Sequence, residues 1–214
     1  MNSDKVYLAF FSTNGYIAPI IKLWEACWTG KNKKNDVLYN HVGLIFHASK
    51  LTQDQINLYN LNKDEYYIFE SVLSGILNDG VKDTLGQTHF GVQLRSLNEV
   101  KKAIQLRNKK SFVDIIPLSK MTCISKAVTR YHSRSYDTSL ETLLTIHLPN
   151  INFKKRKYRY DDKNIPLNFF CSDLIIRVLQ DCGHADKSID PKKVSPNTIF
   201  DLINLNEANL LKLW

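Results

Sequence analysis

Two short segments, far apart in the chain, carry residues that could serve as a nucleophile and a base. His41 opens the apolar run 41–46, and Cys171 opens the amphipathic run 171–180 after two phenylalanines. The first turn of a helix carries partial positive charge and free backbone N–H groups, which favour a thiolate and can bind an oxyanion. Cys171 is therefore the predicted nucleophile, and His41 is the predicted base.

A catalytic imidazole also needs a polar partner that fixes its tautomer and stabilises its charged form. Glu70 interrupts the otherwise apolar run 66–72. If this run pairs with residues 42–46 as an antiparallel neighbour, its carboxylate can reach the face that carries His41. Glu70 is the predicted orienting acid, and a salt bridge to one of the many lysines is its alternative role.

The cysteine spacing indicates neither a metal site nor a disulfide framework. Cys27, Cys123 and Cys182 are scattered, with no CxxC pair and no histidine at metal-ligand spacing. We expect these three to be structural residues, with reduced thiols in a cytosol-like compartment. Burial in the core is also the alternative role of Cys171, since cysteine is among the most buried residue types.

The elements that must position these residues predict an α+β fold. Apolar runs with turn signals predict strands at 6–11, 42–47, 66–72, 91–95 and 112–117. Helical spacing and capping signals predict helices at 17–28, 97–106, 118–131, 138–146, 171–180 and 195–203, with a short helix possible within 52–61. With no internal repeat or linker, the 214 residues are expected to form a single domain, 1–214, in which a small, mostly antiparallel sheet packs against helices.

The chain is basic, with a net charge of +8. The densest cluster lies within 154–159, and most such runs are solvated loops. The alternative is an anionic partner, in particular a membrane surface contacted through Lys154, Lys155, Arg156 and Lys157. No glycine-rich phosphate loop or zinc-finger spacing accompanies the charge, so sequence-specific nucleic-acid binding is not expected. The polar N-terminus and the short apolar runs favour a soluble, cytoplasmic protein.

The order of these motifs resembles a known family. His41-Val42-Gly43-Leu44-Ile45, then Phe69-Glu70-Ser71 followed by Gly80-Val81, then Tyr136-Asp137, and finally Phe170-Cys171-Ser172-Asp173-Leu174-Ile175 look like the circularly permuted NlpC/P60 papain-like proteins. That group includes bacterial YiiX-type proteins and a group of poxvirus proteins, and is related to the lecithin:retinol acyltransferase-like enzymes. The resemblance runs from about residue 5 to about residue 203, and the histidine strand precedes the cysteine helix, as in the permuted group.

The resemblance implies a papain-like core with Cys171 as nucleophile, His41 as base and Glu70 as orienting acid. It also implies amidase, peptidase or lipid acyl-hydrolase chemistry on a peptide, amide or lipid substrate, without a metal or organic cofactor. Because related acyltransferases accept histidine as the third group, His47 or His89 could replace Glu70. A catalytically silent papain-fold module that binds a lipid, a peptide or an anionic surface is the alternative function.

Overall fold

A computed structural model gives the fold of most of the chain. It describes residues 1–13, 39–73, 80–88, 90–107, 111–119, 121–137, 160–163, 165–204 and 211–213. Within these residues the protein is α+β, as the sequence predicts, with one curled mixed sheet and helices packed on it.

The sheet contains eight strands in the order β7-β6-β4-β3-β2-β1-β5-β8. Their bounds are β1 Val6–Ser12, β2 His41–His47, β3 Tyr66–Leu73, β4 Phe90–Ser96, β5 Phe112–Leu118, β6 Ser135–Tyr136, β7 Asn168–Phe169 and β8 Leu211–Lys212. All neighbours pair antiparallel except β6 and β7, which are parallel. The antiparallel pairing of β2 with β3, on which the role of Glu70 depends, is confirmed.

The helices cover both faces of this sheet. Their bounds are α1 Gln53–Leu58, α2 Leu97–Arg107, α3 Ile124–Tyr131, α4 Cys171–Asp181 and α5 Pro196–Asn204, with short 3-10 turns at Ala48–Lys50 and Pro191–Lys193. On one face α4 buries an apolar stripe against β2 and β3. The stripe consists of Leu174, Ile175, Val178 and Leu179, which are all fully buried. The opposite face packs against α2 through a smaller cluster that includes Ile45, Ile68 and Val100.

Strand alternation divides the side chains between these two faces. His41, Glu70 and Arg95 belong to the face that packs on α2, whereas Val42, Phe69 and Leu94 belong to the face that packs on α4. Since His41 is the first residue of its strand, its side chain lies at an end of the sheet. A contact with the first residue of α4, on the other layer, is therefore possible there.

The predicted helix 118–131 is wrong in its first half. Leu118 ends β5, where it pairs with Val6, and α3 begins only at Ile124 after Cys123. The ladder between β1 and β5 uses the backbone groups of Leu118 that a helix would need, so tertiary pairing overrides the local helical pattern.

The prediction of reduced thiols is wrong for two of the four cysteines. Cys123 and Cys182 form a disulfide, with their Cα atoms 5.6 Å apart. Cys123 precedes α3 and Cys182 follows α4, so the bond joins the start of one helix to the end of the other. Sequence spacing did not reveal the pair because 59 positions separate the two residues.

Several predicted features lie outside the described residues. They are the helices 17–28 and 138–146, Cys27, His89 and the basic residues Lys154 to Arg159. The chain just after this basic cluster is described. There Tyr160 and Pro166 form an isolated antiparallel bridge, and the Asp161 carboxylate accepts the N–H groups of Lys163 and Ile165.

Candidate active site

Cys171 is the first residue of α4, as the sequence predicts. Phe170 precedes it in an extended conformation and supplies no side-chain cap, so the N–H groups of the first turn are not occupied by a capping side chain. Only 6% of Cys171 is exposed, and it is the free cysteine among the described residues. The thiol therefore lies at the positive end of a helix that is well anchored in the core.

The start of α4 is held to the sheet by the residue before the cap. The carbonyl oxygen of Phe169 accepts hydrogen bonds from the Ser71 hydroxyl at 2.8 Å and from the Asp137 N–H at 3.1 Å. Ser71 is fully buried in β3, next to Glu70 in sequence. One strand thus carries the orienting acid and also fixes the chain two residues before the thiol.

His41 is positioned by a contact of its ring and by hydrogen bonds to the backbone just before it. Its ring packs against Phe11 of β1, with centroids 5.2 Å apart. Two residues earlier, the Asn197 side chain accepts the Tyr39 N–H at 3.0 Å and donates to the Tyr39 carbonyl oxygen at 2.9 Å. Asn197 lies in the first turn of α5. The backbone that leads into His41 is therefore fixed by the first turn of α5.

The structure brings together the three residues that the sequence singled out. His41 Nε2 donates to Glu70 Oε2 at 2.5 Å, and the His41 ring lies near enough to the Cys171 thiol for the two groups to interact electrostatically and raise the pKa of His41. Because Nε2 is taken by the carboxylate, the nitrogen left for the thiol is Nδ1. Glu70 is fully buried. The three side chains thus form a continuous chain of contacts from carboxylate to imidazole to thiol.

Gly43 makes room for the carboxylate. It is adjacent to Leu44, the residue nearest to His41 among those that pair β2 with β3. A Cβ on Gly43 would lie 2.9 Å from Ile68 Cδ1 and 3.2 Å from Glu70 Cβ. Any larger residue would push against the side chain that orients His41. These close approaches explain why the sequence pattern has a glycine at position 43.

The charges of the site reinforce one another. Burial opposes the charged form of Glu70, but the Arg95 guanidinium and the His41 ring outweigh it and hold the pKa of Glu70 at about 2. Burial lowers the pKa of His41, whereas the contacts with Cys171 and Glu70 raise it well above its ordinary value. The arrangement favours an ionised carboxylate beside a protonated imidazole.

Arg95 is a site residue that sequence analysis missed. It lies in β4 opposite Ile68, is 3% exposed, and places Nε 2.9 Å and Nη2 2.7 Å from Glu70 Oε1. The signal was present in the sequence, because Gln93 and Arg95 alternate with the apolar Val92 and Leu94. A charged residue inside such a strand needs a buried partner, and Glu70 is that partner. The salt bridge considered as an alternative for Glu70 exists, but to an arginine and together with the contact to His41.

Tyr136 is a second residue whose role the sequence did not assign. It lies in β6, where its ring packs on Phe170 with centroids 5.1 Å apart, and its phenol interacts electrostatically with Cys171. Burial and the neighbouring sulfur raise the pKa of Tyr136 well above its ordinary value. The phenol therefore keeps its proton and can donate a hydrogen bond beside the thiol.

His47 does not serve as the third group. It ends β2, six residues from His41, which corresponds to roughly 20 Å along a strand. Its Nδ1 lies 2.9 Å from the Ser49 hydroxyl, and its ring packs on Tyr66. The other alternative, His89, lies outside the described residues.

Neither a metal site nor a membrane-spanning helix is found within the described ranges. No group of three or more His, Cys, Asp or Glu residues there is placed to hold a metal ion. None of the helices described is long and apolar enough to cross a membrane.

Compared with protein-family models, with curated proteins and with solved structures, the chain matches none of them. The chemistry of the site therefore has to be argued from its own residues.

Proposed function

We propose that this protein is a cysteine hydrolase of the amidase, peptidase or lipid acyl-hydrolase type. The observation that carries the proposal is the chain of contacts from Glu70 through His41 to Cys171, at the N-terminus of a buried helix. A thiol next to a base that is itself oriented by an acid is the usual arrangement of an activated nucleophile.

The proposed reaction begins with attack of the Cys171 thiolate on an amide or ester carbonyl carbon. The sulfur–carbon bond forms as the carbonyl π pair moves to oxygen, and this oxyanion receives hydrogen bonds from first-turn N–H groups of α4 and from the Tyr136 hydroxyl. The His41 imidazolium then protonates the leaving amine or alcohol as its bond to carbon breaks. Water, deprotonated by His41, attacks the thioester and releases the acid and the thiol.

We also propose that the α+β fold is a permuted papain-like fold of the NlpC/P60 type. Two features support this proposal. The histidine strand and the glutamate strand precede the cysteine helix in the chain, and that helix packs directly on both strands. Such an order is what the permuted group would give, with the site geometry intact.

The proposed substrates are peptides, amides or lipids, and the proposed auxiliary contact is an anionic membrane surface bound through Lys154, Lys155, Arg156 and Lys157. A cytoplasmic location is the third part of this proposal. The Cys123–Cys182 disulfide counts against the reduced thiols on which that location partly rested, because structural disulfides persist mainly in oxidising compartments.

Selective alkylation tests the proposed activity without knowledge of the substrate. Iodoacetamide at neutral pH, followed by peptide mass spectrometry, should label Cys171 at least tenfold faster than Cys27, and His41→Ala should remove that advantage. Cys123 and Cys182 are protected by their disulfide. Equal, slow labelling of Cys171 and Cys27 in a folded protein would instead support the silent binding module.

A further inference from the structure

Arg95 is a buried cation that the reaction as described does not use. It is 3% exposed, in the strand next to Glu70, and both of its contacts with that residue go to Oε1. The other oxygen, Oε2, accepts the His41 Nε2–H. The carboxylate therefore bridges two cationic partners, one through each oxygen. The two contacts from Arg95 fix the orientation of the carboxylate that His41 meets.

The charges of Cys171, His41 and Glu70 balance only when the charge of Arg95 is counted with them. In the state needed for attack, Cys171 and Glu70 are negative, while His41 and Arg95 are positive, so the set is neutral. Without Arg95 the set would carry one net negative charge, whether the proton is on Cys171 or on His41. Because removing charge from water costs several kcal/mol per ion unless it is paired, the loss of Arg95 would disfavour the Glu70 carboxylate and the Cys171 thiolate.

We propose that Arg95 is a positioning residue for the site: it holds Glu70 ionised and oriented toward His41, and its positive charge favours the thiolate form of Cys171. This inference rests on the proposed function for its catalytic meaning. Its effect on ionisation is a property of the buried cluster and can be measured without a substrate.

Other charged and titratable groups surround the cluster and must be kept constant in a test. They are Tyr136 on β6 and the buried Asp137 that follows it, the Asp173–Arg177 ion pair on α4, the buried Asp83 in the loop beside β4, and Glu99, Lys101 and Lys102 on α2. Glu99 and Lys102 are paired at the surface at 3.2 Å. None of them has to be altered to change Arg95.

The first measurement is the pH midpoint of Cys171 alkylation by iodoacetamide. Arg95→Gln should raise this midpoint by on the order of one pH unit, because the loss of one buried positive charge near the thiol disfavours the thiolate. Arg95→Lys, which keeps the charge, should have a midpoint close to that of the wild-type protein. Arg130→Gln is the matched control, because it removes an exposed arginine that pairs with Asp181, and it should leave the midpoint unchanged.

A second pair of variants covers the case in which Arg95→Gln fails to fold, since breaking a buried ion pair is strongly destabilising. In the Glu70→Gln background, removal of the arginine charge by Arg95→Gln no longer strands a carboxylate. The midpoint should still rise from Glu70→Gln to the double variant. An unchanged midpoint in every folded pair would overturn the proposal.

A third readout separates this inference from the proposed hydrolase activity. In Cys171→Ala, the His41 ring can be titrated by NMR without the thiol, and Arg95→Gln should move that titration to higher pH because a nearby positive charge is lost. If wild-type Cys171 were unreactive but this shift were present, the hydrolase would be refuted and the role of Arg95 retained. If Cys171 were reactive and the His41 titration did not move, the role of Arg95 would be refuted alone.

Discussion

At the scale of single residues, the site is defined by one short hydrogen bond and one buried ion pair that share Glu70. His41 and Arg95 each take one oxygen of its carboxylate. In a fully buried position, such a group is stable only while both partners are present. Substitutions in this set are therefore expected to affect ionisation and orientation more than local packing.

The three predicted site residues should differ in the size of their effect on hydrolysis. Cys171→Ala and His41→Ala should each lower kcat/KM by at least about 10³-fold, because they remove the nucleophile and the base. Glu70→Gln should retain more activity, at a loss of about 10- to 100-fold, since it orients His41 without touching the substrate. Circular dichroism must show that each variant is folded, and wild-type activity in folded His41→Ala would refute the assignment.

Protonation of Glu70 should also cause most of the loss of unfolding free energy at acid pH. Its pKa is lowered from 4.5 to about 2, so its ionised form stabilises the fold above pH 4.5 and this contribution is lost as the pH falls through about 2. The loss should amount to about 3 kcal/mol between these values, measured by urea unfolding. Glu70→Gln should start less stable and change less over the same interval; parallel curves for the two proteins would contradict the low pKa.

At the scale of elements, the site is made by the meeting of two strands and one helix terminus. The pairing of β2 with β3 sets His41 and Glu70 on one face, and α4 brings Cys171 to the end of those strands. A shift of one residue in this pairing would turn Glu70 to the opposite face. The register is therefore as important to the chemistry as the residues themselves.

Gly43→Ala tests the close approach within that pair of strands. The new methyl group would overlap Ile68 and crowd Glu70, so we expect a loss of about 1 to 3 kcal/mol of stability and a slower reaction. Adding Ile68→Val removes the nearest atom and should restore part of the stability. If Gly43→Ala were as stable as wild type, the strands would not be packed as closely as described.

The disulfide between Cys123 and Cys182 should stabilise the helix layer. It closes a loop of 59 positions and joins α3 to the end of α4, so its loss should cost about 2 to 4 kcal/mol of unfolding free energy. Thermal unfolding with and without a reductant measures this cost. The Cys123→Ala, Cys182→Ala double variant is the control and should not respond to the reductant. A wild-type protein equally insensitive to reduction would show that the bond does not form.

At the scale of the whole molecule, the proposed contact with an anionic membrane surface depends on the excess of positive charge. Changing residues 154–157 to serine should weaken binding to vesicles with anionic lipid at 0.1 M salt and have little effect at 1 M, because the Debye length falls from about 10 Å to about 3 Å. Hydrolysis of a small neutral substrate should be unchanged. The matched control loses four cations elsewhere: Lys31, Lys33, Lys34 and Lys109. Equal binding of all three proteins at low salt would leave 154–157 as a solvated segment.

Local pattern was enough to predict most elements and the candidate nucleophile. Apolar runs bounded by turn signals predicted five strands within one or two residues of their observed bounds, and the apolar stripe of α4 placed Cys171 at its first position. These signals are local because strand and helix periodicities are properties of neighbouring residues. The same reasoning predicted that Glu70 could face His41 once their strands paired.

Only the tertiary structure decided the features that depend on distant parts of the chain. The two-residue strands β6 and β7 have no periodicity of their own and exist because they pair with each other, and Leu118 joins a strand because Val6 lies beside it. The Cys123–Cys182 bond and the Arg95–Glu70 pair likewise join residues that no local pattern relates. Sequence spacing fixes which side chains share a face, whereas contact between faces follows from packing of the whole chain.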